Sequence, residues 1–138
     1  MCAWICASGA FQAYPAISQS HREGLGFQNV RWSDSKLIRQ LRELQPDRVI
    51  YSNSPSAVYF HAGRAAKRIP TSFHQVNQAL NAQYDRELIA LSRDLATGGL
   101  LVRFNLAVGS AALEEESLLR RLQLVPLSVY PDGTIYRH

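Results

Sequence analysis

Cysteine is almost missing from this chain. There are two in 138 residues, Cys2 and Cys6, both within the first six positions. Their i, i+4 spacing places them on one face of a helix. Two sulfurs do not complete a tetrahedral zinc site, and no histidine lies near them in sequence. So few cysteines leave the redox compartment undetermined. The four histidines, His21, His61, His74 and His138, are scattered, without HxxxH, HxH or HExxH spacing. No metal site is expected. GxGxxG, the phosphate-loop pattern and the GxSxG nucleophile elbow are all missing. No cofactor is expected, and no catalytic signature appears. There is no internal repeat, no low-complexity tract and no run of about 20 apolar residues.

What is present is globular composition. Hydrophobic residues make up 46% and charged residues 19%, with a net charge of +4. A chain of this length is one domain's worth. It can bury roughly two thirds of its unfolded surface without a disulfide or metal.

Residues 1–17 stand apart. They carry no charge, and Trp4, Phe11 and Tyr14 supply aromatic bulk; the first charged residue is Arg22. A signal peptide lacks its basic leading region here. A core helix is the default for an apolar run of this length. The third reading is the last turns of a membrane span that starts upstream. Tyr14 would then lie at headgroup level and Pro15 would break the helix near the interface. The expected organisation is an apolar segment at 1–18, a loop at 19–33 and a single α/β domain at 34–138.

Along that domain, Leu37, Ile38, Leu41 and Leu44 form one apolar stripe of a helix at about 34–45, with Ser33 or Asp34 as its cap. A short strand follows at about 48–52. Ser54 and Pro55 start a second helix that Gly63 can close. Arg64–Arg68 either extends it or forms its exit, and Ile69-Pro70 reads as extended. A polar surface loop covers 71–82. A helix at about 83–96 ends at Gly98-Gly99 and leads to a buried strand at 100–105. A helix at about 111–122 has Glu114, Glu115 and Glu116 in its first turns and Arg120 and Arg121 in its last, which suits the helix dipole. Pro131-Asp132-Gly133 then joins two strands in a hairpin, and Pro126 suits an edge or a bulge. Alternating β and α argues for a small Rossmann-like three-layer α/β sandwich. Its sheet is expected to be mainly parallel, with a C-terminal antiparallel hairpin.

Two groups of residues are candidates for contact with a ligand. The turn Tyr51, Ser52, Asn53 and Ser54 lies at the carboxyl end of a parallel strand, where open α/β sheets bind ligands. The plain alternative is that Asn53 and Ser54 cap the next helix and close the turn. Arg64, Lys67 and Arg68 form a positive patch that suits phosphate or a membrane surface, or is a solvated face. No recognition helix or aromatic-basic motif accompanies it, so no nucleic-acid partner is expected.

Four segments occur together in a recognisable order. They are Asn29–Ser35, with Trp32; Val49–Pro55 followed by Ala57-Val-Tyr59, Gly63-Arg64 and Arg68-Ile-Pro70; Leu100–Asn105 after Gly98-Gly99; and Tyr130-Pro-Asp-Gly133-Thr-Ile-Tyr-Arg137. In these the chain resembles the soluble C-terminal domain that follows the last membrane span of many bacterial polytopic glycosyltransferases. Those proteins are similar to the dolichyl-phosphate-mannose protein mannosyltransferase and aminoarabinose transferase group. The resemblance covers nearly the whole chain and takes residues 1–17 as the tail of the last span.

It implies a non-catalytic accessory domain on the extracytoplasmic side of the cytoplasmic membrane. Its partner would be the membrane, through residues 1–17 or an upstream membrane region. The missing part would take sugar from a polyprenyl-phosphate donor and would hold the catalytic acid, so no catalytic residue is carried over. The alternative is a stand-alone, soluble α/β module binding a sugar or nucleotide at the strand ends near Asn53. An independent enzyme is disfavoured, because acid–base chemistry needs a positioned pair and the sequence nominates none.

Overall fold

The computed structural model describes residues 32, 34–73, 79–106 and 110–138. The readings of residues 1–18, of the loop at 19–33 apart from Trp32, of Ser33 as a helix cap and of His74 lie outside the described residues. The chain divides into two compact units, Met1–Ser35 and Lys36–His138. The second unit carries the fold.

Helix α1 spans Lys36–Glu43 and buries Leu37, Ile38 and Leu41, the stripe its spacing predicts. Strand β1 is Ile50–Ser52. Helix α2 starts at Pro55, runs to Ala57 and continues as a π-helical turn over Val58–Ala62. Gly63 ends it in the left-handed conformation at φ 65°, which suits a residue without a Cβ. The segment after Gly63 is an exit and not a further helical turn. Strand β2, Lys67–Arg68, immediately precedes the extended segment expected at Ile69-Pro70. The pairing still reaches that segment, because the Ile69 N–H donates to the Ser52 carbonyl at 3.1 Å. Helix α3 is Tyr84–Ala96, strand β3 is Leu100–Phe104 and helix α4 is Ser110–Arg121. Strands β4, Val125–Tyr130, and β5, Gly133–Arg137, form the hairpin.

The five strands lie in the order β2-β1-β3-β5-β4. β1 pairs parallel with β2 and β3, whereas β5 pairs antiparallel with β3 and β4. The protein is therefore α/β with a mixed sheet, and the parallel ladders are no more numerous than the antiparallel ones. The cause is the place of the hairpin. Its returning strand β5 inserts beside β3, and β4 is left at the edge, pointing the same way as β1–β3. A register shift between Pro126 and Ser128 bulges β4 where proline cannot complete a ladder.

Side chains alternate across the sheet. Tyr51 and Leu101 meet Ile69, Leu88, Leu91 and Leu95 of α3 and Leu118 and Leu119 of α4, with Tyr136 packed against them. Ile50, Leu100, Val102, Phe104 and Ile135 point to the other face and are also buried. There α1 presses on β5: a Cβ at Gly133 would push against the Arg103 carbonyl and stand 2.7 Å from Leu37 Cδ2.

Gly133→Ala is accordingly expected to destabilise the domain by about 1–3 kcal/mol, as overpacking does. Urea unfolding measures it, and an unchanged midpoint would show that the helix and strand can separate freely.

Candidate functional site

Strand β1 aims Tyr51 at the α3 side of the sheet, in register with Lys67 of β2. Both meet Asp94. The Tyr51 hydroxyl donates to Asp94 Oδ2 at 3.0 Å and Lys67 Nζ donates to the same oxygen at 2.8 Å. Lys67 Nζ also lies 5.3 Å from the centre of the Tyr51 ring, within cation–π range. Asp94 stands in the last turns of α3, where the helix dipole disfavours a negative charge. The hydrogen bond from Lys67, and then that from Tyr51, hold its carboxyl below the usual range. Burial, together with donation to Asp94, pushes the Tyr51 phenol up, and the bond to Asp94 raises the Lys67 ammonium. At neutral pH the cluster is thus an ion pair with a protonated phenol. It offers no free base, and it ties the edge strand β2, strand β1 and α3 together.

Beside it opens a cavity of about 400 Å³ between the end of β2 and the first half of α3. Tyr51, Lys67, Arg68, Thr71, Asn81 and Glu87 contribute its polar lining. Asn81 Nδ2 donates to the Thr71 carbonyl at 3.1 Å and to Glu87 at 2.9 Å, which fastens the loop to the helix. The cavity joins three of the residues that the sequence nominates: Tyr51 from the turn, and Lys67 and Arg68 from the basic patch.

The other nominated residues serve different contacts. Asn53 reaches across to β3. Its Nδ2 donates to the Phe104 carbonyl at 2.9 Å, and its Oδ1 accepts from the Phe104 N–H at 2.9 Å. A longer bond of 3.4 Å runs to Glu115, which Arg103 holds at 2.9 Å. Ser52 is fully buried, and its hydroxyl accepts from the Ser54 N–H at 3.0 Å. Ser54 is the N-cap residue of α2, but its side chain makes no cap bond. Arg64 is not among the residues lining this cavity. Its guanidinium donates to the carbonyls of Leu41, Leu44, Gln45 and Pro46 at 2.8–3.3 Å. Leu41 lies in the last turn of α1 and the other three follow that helix, so Arg64 fastens its exit. Arg42 of α1 answers by donating to the His61 carbonyl at 2.7 and 2.9 Å.

Sequence reasoning missed Asp94, although an acid in the last turn of a helix is a readable signal that a cation must come near it. Among the described residues no group of three His, Cys, Asp or Glu is placed to hold a metal ion. Among them, too, no helix is long and apolar enough to cross a membrane. Comparison with protein-family models, curated proteins and solved structures finds no match.

Two outcomes follow from this geometry. Asn53→Ala removes the bond to the Phe104 N–H and one of the donors to the Phe104 carbonyl, which the Leu106 N–H also reaches at 2.8 Å, and should cost about 1–2 kcal/mol in urea unfolding. Asp94→Asn should cost about 1 kcal/mol at neutral pH, since Lys67 is 57% exposed and its pair is screened. The lowered Asp94 value adds stability above the ordinary carboxylate range, and this is lost as pH falls through the folded value. The raised values of Lys67 and Tyr51 add stability below their ordinary 10.5 and 10.0, lost as pH rises through the folded values. The gap between wild type and Asp94→Asn should therefore be widest near neutrality and narrow in acid. A gap independent of pH would sink the ion-pair assignment.

Proposed function

We propose that this chain is a non-catalytic accessory domain of a membrane glycosyltransferase that takes sugar from polyprenyl-phosphate donors. The domain stands on the extracytoplasmic side of the membrane. One observation carries the reading: residues in the segments that bear the family resemblance work as fasteners of the fold. Asn53 ties β1 to β3. Asn105 ties the end of β3 to the hairpin turn, through Nδ2 to the Pro131 carbonyl at 3.1 Å and its N–H to the Asp132 carbonyl at 3.0 Å. Gly63 closes α2 and Arg64 fastens the exit of α1. Gly133 lets β5 pass under α1. Residues with such duties keep a scaffold in shape, which is what a non-catalytic domain requires.

The finer description of the fold belongs to the same reading. We infer a Rossmann-like three-layer sandwich, supported by the parallel β2-β1-β3 order and by apolar residues buried on both faces of the sheet. The alternative of a sugar or nucleotide module at Asn53 has less support, because the Asn53 amide is already engaged by Phe104 and Glu115.

The test is made at the gene in its own host. A C-terminal tag on the chromosomal copy should report a polypeptide far longer than 138 residues, retained in carbonate-washed membranes. Deleting the gene should abolish transfer of a labelled sugar from a polyprenyl-phosphate donor by those membranes. A tagged product of 138 residues in the soluble fraction would overturn the reading.

A further inference from the structure

The π-helical turn after α2 presents two consecutive aromatic side chains to solvent. Tyr59 is 62% exposed and Phe60 65%. Their rings touch edge to face, with centroids 5.6 Å apart and planes at 75°. Ala57, Val58 and Ala62 of the same segment are buried. Spacing the buried residues this way leaves Tyr59 and Phe60 outside together with His61 half-buried, and the wider π turn accommodates it. Single π turns inside helices are rare and fall mostly at functional sites. Isolated exposed apolar residues are ordinary, but two touching aromatics side by side are not needed by the core.

Helix α1, which packs against this turn, carries three cations, Lys36, Arg39 and Arg42. Arg42 lies against the turn itself through its bonds to the His61 carbonyl. Arg39, one turn earlier on α1, is exposed. Glu43, at the end of α1, is the acid on that helix.

We propose that Tyr59 and Phe60, with Arg39 and Arg42 beside them, contact the surface of an anionic phospholipid bilayer. Aromatic rings favour the headgroup level, and arginines favour the lipid phosphates next to it. Two side chains are too small a patch for a stable protein interface, which covers about 800 Å² on each partner. A bilayer supplies the rest of the contact through its charge. The inference deepens the reading above and rests on it for the presence of a bilayer beside the domain.

The test uses the whole chain with added vesicles, so that this inference and the glycosyltransferase reading can fail separately. Cys2→Ser and Cys6→Ser remove the native thiols, and Phe60→Cys takes an environment-sensitive fluorophore. Ile89→Cys, on α3 and 71% exposed, is the control position. With vesicles of equal parts phosphatidylglycerol and phosphatidylcholine, the probe at position 60 should shift to the blue and brighten, and the probe at 89 should not. Phosphatidylcholine alone should give little shift. In the unlabelled chain, Tyr59→Ser with Phe60→Ser should weaken binding to the mixed vesicles several-fold, and Arg39→Gln should weaken it further as salt does. An unshifted probe at position 60 while the chain still pellets with vesicles would overturn the proposal. So would a shift seen only with protein-containing membranes, which would assign the patch to a protein partner.

Discussion

Strands β1 and β3 are held at their carboxyl ends by one side chain. β1 ends at Ser52, and the main chain must leave the sheet to start α2 at Pro55. Asn53 imitates a peptide group there, accepting from the Phe104 N–H and donating to the Phe104 carbonyl. The pairing of β1 with β3 is thereby extended by one rung while the backbone turns away. Glu115 and Arg103 join at the same point and tie α4 to the strand end. Asn105 then connects the end of β3 to the hairpin turn. Without Asn53, the side-chain rung to Phe104 would be lost at the place where three elements meet.

Arginine does a comparable task on the other face. Arg64 holds the Leu41 carbonyl in the last turn of α1 and three carbonyls just after it, and Arg42 of α1 reaches the last turn of α2. Each helix end thus borrows a cation from the neighbouring segment. A guanidinium presents its donors in a planar fork, so one side chain can serve several carbonyls at once. A lysine has no such fork. The positive charge of Arg64 and Arg42 is in this part architectural, since both guanidiniums are held by backbone carbonyls. Lys67 and Arg68 remain at the cavity, with Lys67 tied to Asp94.

The functional reading follows from how these polar groups are used. Tyr51, Asp94 and Lys67 form a satisfied cluster with opposite charges in contact, which holds a fold and leaves no poised acid or base. The aromatic pair of the π turn is a feature on the outside, next to the cations of α1. It supports the proposed place of the domain beside a membrane.

The sequence by itself determined the helices, the strands and most of their ends. The apolar stripe of α1, the leucines of α3, the stop at Gly63, the hairpin turn and the disturbance at Pro126 all follow from local rules. Periodicity, caps and turns depend on residues within a few positions of one another. It also placed Tyr51, Lys67 and Arg68 among the candidates that the cavity brings together. Only the tertiary structure decided what the polar side chains meet. Asn53 and Phe104 are 51 positions apart, Tyr51 and Asp94 43, and Arg64 and Leu41 23. No local pattern encodes such pairs, since each depends on which strands become neighbours. The insertion of β5 between β3 and β4 is of the same kind. It turned an expected mainly parallel sheet into a mixed one, because strand order is set by packing across the whole sheet and not by the succession of elements along the chain.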